Sequence, residues 1–312
     1  MEQYCFGVDI GGTEIKAGLF DAEGNLLDKW AFATQKTGNG KDVLKGAADF
    51  VKRMMAEKGL EKEQMLGIGV GIPGPVKDDG EVLELPNLGI GYFNIEEEMS
   101  AMTGLRVKAG NDANVAALGE QWKGSGRGFN NMVLVTLGTG VGGGVIHNGR
   151  ILSGSGGAAG EIGHILVNLT EKETCGCKKR GCVEQYASAT GIVRLAKRAL
   201  IKNPEGSELS KEDVITAKAV FDLAKQGDKL AMDIVDEACG YLGLALAHVA
   251  QVVDPEAFII GGGVSKAGDI LTTGIKKHYV PYVMDALKDR AFLIASLGND
   301  AGIYGCARLV LA

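Results

Sequence analysis

Proline is scarce in this 312-residue chain, at 6 residues, and no Gly-X-Y period runs through it, so collagen-like and low-complexity chains are excluded. Aromatic residues are 6% and are not interleaved with basic ones, so the stacking platforms of nucleic-acid binders are missing. Basic residues do not dominate either. The 33 Lys and Arg stand against 39 Asp and Glu, a net charge of -6, which speaks against nucleic acid as a main partner. Six cysteines are too few for a disulfide scaffold and point to the cytosol. Long apolar runs are lacking as well. The longest, Ala238 to Val253, is broken by His248 and Gln251 and falls short of the roughly 20 apolar residues of a membrane span. Met1-Glu2-Gln3 leads at once into a strand-like run, with no basic n-region or cleavage site, so neither a secretory signal nor a membrane partner is expected.

What the chain has in excess is glycine, 48 of 312 residues or 15%, about twice the usual share. Apolar residues at 46% and charged residues at 23% are an ordinary globular balance. At about 150 residues per domain the length suits two domains or two similar lobes. The first strands read as Tyr4 to Ile10, Ile15 to Phe20 and Leu26 to Ala33, joined by Gly11-Gly12-Thr13 and by the turn Asp21 to Asn25. A helix follows over Asp42 to Lys58, then a strand over Leu66 to Ile72. In mid-chain the pattern returns: Val133 to Leu137, the turn Gly138-Thr139-Gly140, Gly142 to Ile146, the turn His147-Asn148-Gly149, and a strand from Arg150. Two copies at long period predict two related lobes, with a cleft between them as the natural ligand site. Helices are expected at Gly191 to Ile201, Val214 to Gln226, Asp228 to Val253 and Asp300 to Leu311, with a strand at Ala257 to Ile260 before Gly261-Gly262-Gly263.

Each glycine turn alone reads as a tight hairpin. Three of them, two in a repeat, point instead to phosphate, because glycine lets successive N–H groups converge on an anion and threonine adds a hydroxyl. Gly138 to Gly143 matches G-x-G-x-x-G, but a strand follows where the dinucleotide fingerprint needs a helix, and no P-loop pattern occurs. Asp9, at the end of the first strand, is either a turn cap or a hard-oxygen ligand for Mg²⁺ beside a phosphate. Lys16 either meets a phosphate or lies on an exposed strand face.

His164, Cys175, Cys177 and Cys182 form a Cys₃His set in a charged loop, which suits a closed tetrahedral zinc of structural type. Cys5, Cys239 and Cys306 lie in apolar runs and read as packing residues. Asn111-Asp112 follows a strand over Leu105 to Ala109 and precedes a helix beginning near Asn114. Asp112 there is either a helix N-cap or a general base for a substrate hydroxyl. Asn87 is ambiguous between turn residue and substrate contact. Glu161, His164 and Glu184 flank the metal loop and suit a ligand with several hydroxyls.

These residues carry a resemblance. Val8-Asp9-Ile10-Gly11-Gly12-Thr13, Asn111-Asp112-Ala113-Asn114, Leu137 to Gly144, Gly160-Glu161-Ile162-Gly163-His164 and the Cys175 to Ser188 segment resemble the ROK family (repressor, open reading frame, kinase). The resemblance implies an actin-like, ribonuclease-H-like α/β fold of two lobes with a structural zinc loop. It implies a small lobe over 1–115, rejoined by a closing helix at 300–312, and a large lobe over 116–299 with the zinc loop at 164–182. The implied reaction is ATP-dependent phosphorylation of the 6-hydroxyl of glucose, with Mg²⁺ and structural zinc. By carry-over Asp112 is the base. Asn87, Asn111, Asp112, Glu161, His164 and Glu184 would hold the sugar. Asp9, Gly11, Gly12, Thr13, Lys16, Thr139, Gly140 and Gly262 would surround the nucleotide phosphates. The family also implies a homodimer or homotetramer. Its repressors carry an N-terminal DNA-reading module, and the first strand at residue 4 favours the kinase branch. Mannose, fructose, N-acetylglucosamine or N-acetylmannosamine as acceptor, polyphosphate or ADP as donor, and a catalytically quiet sugar sensor stay open.

Overall fold

The computed structural model describes residues 2–35, 41–82, 91–205 and 207–311. β1 (Tyr4–Ile10), β2 (Glu14–Asp21) and β3 (Leu26–Ala33) form an antiparallel meander, followed by α1 (Lys41–Lys58) and β4 (Met65–Ile72). Next come β5 (Glu81–Val82), β6 (Phe93–Asn94), α2 (Ile95–Thr103), β7 (Val107–Asn111) and α3 (Asp112–Lys123). The sheet order is β3-β2-β1-β4-β7, with β1, β4 and β7 parallel. Phe6, Val8, Ile10, Ile68, Val70 and Ile72 are fully buried, and Val43, Leu44, Ala47 and Val51 of α1 join their cluster. Such near-continuous apolar strands are what a sheet covered on both faces requires.

The second half runs β8 (Met132–Leu137), β9 (Val141–His147), β10 (Arg150–Ile151), α4 (Glu184–Ala187), α5 (Ala189–Lys202), α6 (Ala217–Lys225) and α7 (Lys229–Val253). It continues with β11 (Ala257–Gly261), α8 (Asp269–Tyr279), β12 (Ala291–Ile294) and α9 (Ala301–Leu311). Its sheet order is β10-β9-β8-β11-β12, with β8, β11 and β12 parallel. The same meander joined to the same two parallel strands thus occurs twice, as the repeat predicts.

Several boundaries differ from the sequence reading, and α5 begins two residues before the expected Gly191. The strand expected at 105–109 starts at Val107 and reaches Asn111, and the helix expected near Asn114 starts at Asp112. The helix expected from Val214 starts after Thr216, whose side chain caps it by accepting from the Ala219 N–H at 3.1 Å.

The chain divides into two compact units, Met1–Gly128 with Gly144–Gly160 and Asn299–Ala312, and Phe129–Gly143 with Glu161–Gly298. The expected division at 115/116 is therefore displaced. α3 stays in the first unit because it packs on α9, at an approach so close that a Cβ on Gly305 would fall on the Val115 carbonyl. On the strand side, a Cβ at Gly69 would strike the α9 backbone at Cys306. Ile303, Ala307 and Val310 of α9 are buried with Cys5 and Phe20, where each large apolar side chain contributes about 1.5–3 kcal/mol. Part of the glycine excess thus lets a helix lie on strands. Among the described residues no helix is long and apolar enough to cross a membrane.

Candidate active site and metal centre

In the first unit, Asp9, Gly71 and Asn111 lie at the C-terminal ends of parallel strands, with Asp9 in register with Gly71 and Ile72 with Asn111. The turn Gly11-Gly12-Thr13 is braced by a residue the sequence reading passed over. The Thr34 hydroxyl donates to the Gly11 carbonyl at 2.7 Å, and its N–H donates to Thr13 O at 2.9 Å. Asn111 is the N-cap of α3. Its Oδ1 accepts from the N–H groups of Ala113 and Asn114 at 3.0 and 3.1 Å, and its Nδ2 donates to Gly74 O at 3.0 Å. Asp112 is therefore not the cap. It sits exposed at the first helical position, with Oδ1 accepting from the Ala113 N–H at 2.8 Å. Asn87 lies outside the described residues.

Among the described residues of this unit, Asp9 is the carboxyl whose pKa is pushed upward. Burial, with a further push from Asp112, raises its pKa to about 6 against the opposing charge of Lys16, its register partner on β2. Gly302 makes the room, since a Cβ there would strike the Asp9 carboxylate. A folded-state pKa above the unfolded one means that the folded protein holds the extra proton between about pH 4 and 6. The cost of ionising Asp9 thus appears as pH rises through that window and persists above it. Asp9→Asn is expected to stabilise the nucleotide-free, cation-free protein at pH 8 by about 1–2 kcal/mol, allowing for partial exposure. That advantage should fade towards pH 4 in thermal melts; a pH-independent difference would mean that ionisation is not the cause.

In the second unit two glycine turns stand side by side. β8 and β11 are parallel, with Gly261 in register with Thr136, so Gly138-Thr139-Gly140 and Gly261-Gly262-Gly263 leave neighbouring strand ends. Gly262 has φ +81°, and a Cβ on it would meet the Leu137 backbone at 2.5 Å, so no other residue fits. Thr139 and Gly262 are exposed. Gly140 leaves the space that the Glu184 carboxylate fills; Glu184 Oε2 accepts from the Val141 N–H at 3.0 Å.

One donor atom from each of His164, Cys175, Cys177 and Cys182 lies within 4.8 Å of all the others. His164 Nδ1 is 3.9 Å from Cys175 Sγ, and Cys177 Sγ is 3.6 Å from Cys182 Sγ. These two separations are close to the edges of a tetrahedron with bonds of about 2.0–2.3 Å to a central ion, so the set is compatible with structural zinc. Glu161 and His164 bracket a short 3₁₀ turn, with Oε2 and Nε2 3.9 Å apart, and Cys175 Sγ is 3.5 Å from Glu184 Oε1. The loop is also tied down without metal. Gln185 Oε1 accepts from the Gly181 and Cys182 N–H groups at 2.8 and 3.2 Å, and its Nε2 donates to Glu173 O at 3.0 Å. Buried Glu171 accepts from both guanidinium nitrogens of Arg198 at 3.0 Å and from the Tyr186 hydroxyl at 2.6 Å. The Arg198 guanidinium holds its carboxyl far below the usual range.

Two repeated α/β sheets with glycine turns at their strand ends, and a His and three Cys compatible with structural zinc, define the class as doubled α/β proteins. The ROK family model matches residues 5–312, and the chain belongs to that family. It is 43% identical to a glucokinase of Halalkalibacterium halodurans, over 99% of this chain and 95% of the relative. It is 30% identical to an N-acetyl-D-glucosamine kinase of Haemophilus influenzae, over 98% of this chain and 99% of the relative. A ROK family glucokinase from Streptomyces griseus, solved with glucose and AMPPNP, superposes with a TM-score of 0.76 at 35% identity, covering 98% of each chain.

Proposed function

We propose that this chain is an ATP-dependent hexose kinase that phosphorylates the 6-hydroxyl of glucose. The observation that carries the chemistry is the division of labour at the start of α3. Asn111 caps the helix by accepting from the Ala113 and Asn114 N–H groups, and Asp112, whose Oδ1 shares the Ala113 N–H, stands exposed at the first helical position as a carboxylate able to accept a proton. Glucose as acceptor rests on the full-length glucokinase relative.

On this reading Asp112 takes the proton from the hydroxyl as its oxygen attacks the γ-phosphoryl group. Glu161, His164 and Glu184 hold the sugar hydroxyls beside the metal loop, with Asn87 and Asn111 contributing from the other half of the sequence. The engaged Asn111 amide would act chiefly by fixing the residue that follows it. Gly11, Gly12, Thr13, Thr139, Gly140 and Gly262 present N–H and hydroxyl donors to the nucleotide phosphates, with Lys16 as a nearby cation. Asp9, a carboxylate at a strand end with a second carboxylate near it, fits a hard divalent cation, and bound Mg²⁺ would offset phosphate charge. Zinc would keep the loop folded.

The test is ADP release from Mg-ATP over glucose, mannose, fructose, N-acetylglucosamine and N-acetylmannosamine, with polyphosphate as a rival donor. Fastest turnover on glucose with ATP is the expected result. Fastest turnover on an N-acetylated sugar would overturn glucose and favour the second reading, which the N-acetyl-D-glucosamine kinase relative supports. No turnover with any pair would overturn the kinase.

A further inference from the structure

The segment after Cys182 folds back on the glycine turn at residues 138–141, and it grips the turn at Gly138, Thr139 and Val141. Ser188 caps α5, accepting from the Gly191 N–H at 2.9 Å, and its hydroxyl donates to Glu184 O at 2.7 Å. This sets the start of α5 so that the Ala189 N–H donates to Gly138 O at 2.8 Å and the Thr190 hydroxyl donates to Thr139 O at 2.7 Å. From the other end of the segment, Glu184 accepts from the Val141 N–H. The turn's remaining internal bond runs from Gly138 N–H to Gly140 O at 3.0 Å. A glycine-rich turn has the largest conformational freedom to lose, so an anion must order it unless something else already does.

We propose that Thr190 is a positioning residue for the nucleotide: its hydroxyl, acting with the Glu184 carboxylate, pre-sets the Gly138–Val141 turn so that the N–H groups of Thr139 and Gly140, between the two that are engaged within the protein, already face the phosphates. The proposal rests on the reading that this turn binds ATP. Nothing in the local pattern marks Thr190, which is exposed and lies 51 residues from the carbonyl it holds. Exposure also makes the test clean, because replacing the hydroxyl leaves no buried gap. The arrangement gives the metal loop a second consequence. Cys182 is two residues from Glu184, so the same short segment serves the ligand cluster and the turn.

The deciding comparison is Thr190→Val against Thr190→Ser, with ADP affinity measured by calorimetry and the KM values for ATP and sugar measured separately. Loss of the neutral hydrogen bond to Thr139 O, together with the 3.0 Å contact to Ser188 Oγ, should weaken ADP binding and raise the ATP KM by roughly two- to tenfold. The sugar KM and the melting temperature should stay at wild-type values, and Thr190→Ser should restore nucleotide affinity. An ATP KM unchanged in Thr190→Val would overturn the proposal, as would equal rises in both KM values. Calorimetry of the unsubstituted protein with ADP is run alongside. If it shows no saturable binding, the nucleotide reading itself fails; if it binds ADP and Thr190→Val binds it equally well, only the positioning role fails.

Discussion

Asp112→Asn is expected to lose turnover by about 10²–10⁴-fold while sugar affinity stays near the wild-type value. The carboxylate occupies the first position of α3 with one oxygen on the Ala113 N–H. An asparagine can keep that contact through its amide oxygen, and Asn111 continues to cap the helix. The substitution thus removes proton acceptance and one negative charge while the cap of α3 stays in place. Single-turnover rates with calorimetric sugar binding separate the two effects. A variant that turns over within a few fold of the parent would disprove the base. One that loses sugar affinity in parallel would mean that Asp112 binds rather than abstracts. Taking one carboxylate away also relieves its neighbour, because Asp112 contributes to the raised pKa of Asp9. The same variant should therefore bring the Asp9 pKa down from about 6, with burial still holding it above the ordinary value.

Loss of the metal is the second large effect. Cys177→Ser removes one of four ligands, and zinc content should fall to background by mass spectrometry. Stability should drop by about 2–4 kcal/mol, the scale of a lost metal site within a larger core. The damage should be local, because Glu171 keeps its bonds to Arg198 and Tyr186 and Gln185 keeps its own loop contacts. Lys178, Lys179 and Arg180 at the exposed tip give trypsin a place to report on it. Rapid cleavage there in the variant, with the parent resistant, is the expected pattern. Equal resistance in both would show that the Glu171 and Gln185 contacts hold the loop unaided and that the metal is dispensable.

The sequence made some of this visible and hid the rest for physical reasons. The doubled meander was legible because turn glycines punctuate it: Gly11-Gly12 and Gly138-Thr139-Gly140 break runs of buried β-branched residues at corresponding places. The metal loop was legible because a His and three Cys in a charged stretch have few other uses. Which of Asn111 and Asp112 caps α3 was not legible, since both are good caps and only the backbone path decides. α8 and β12 escaped notice because Lys276, Lys277 and His278 crowd the end of one, and the other is four residues long, too short for a period to show. Thr34 and Thr190 were missed because each acts on a turn distant in sequence. Glu184 was read as a sugar ligand; one of its oxygens already serves the Val141 N–H, which local patterning could not reveal.

The placement of α9 has a consequence for how the chain is made. Its residues complete the unit that begins with β1, yet all of Phe129–Gly143 and Glu161–Gly298 is synthesised before them. At about 5–20 residues per second, the Cys5 and Phe20 face waits many seconds on the ribosome without its cover. The second unit has all its strands and helices by Gly298 and can be complete first, so the half of the molecule translated earlier finishes folding later. A nascent chain stalled before residue 299 would present that uncovered apolar face to chaperones, and one stalled after residue 312 has emerged would not.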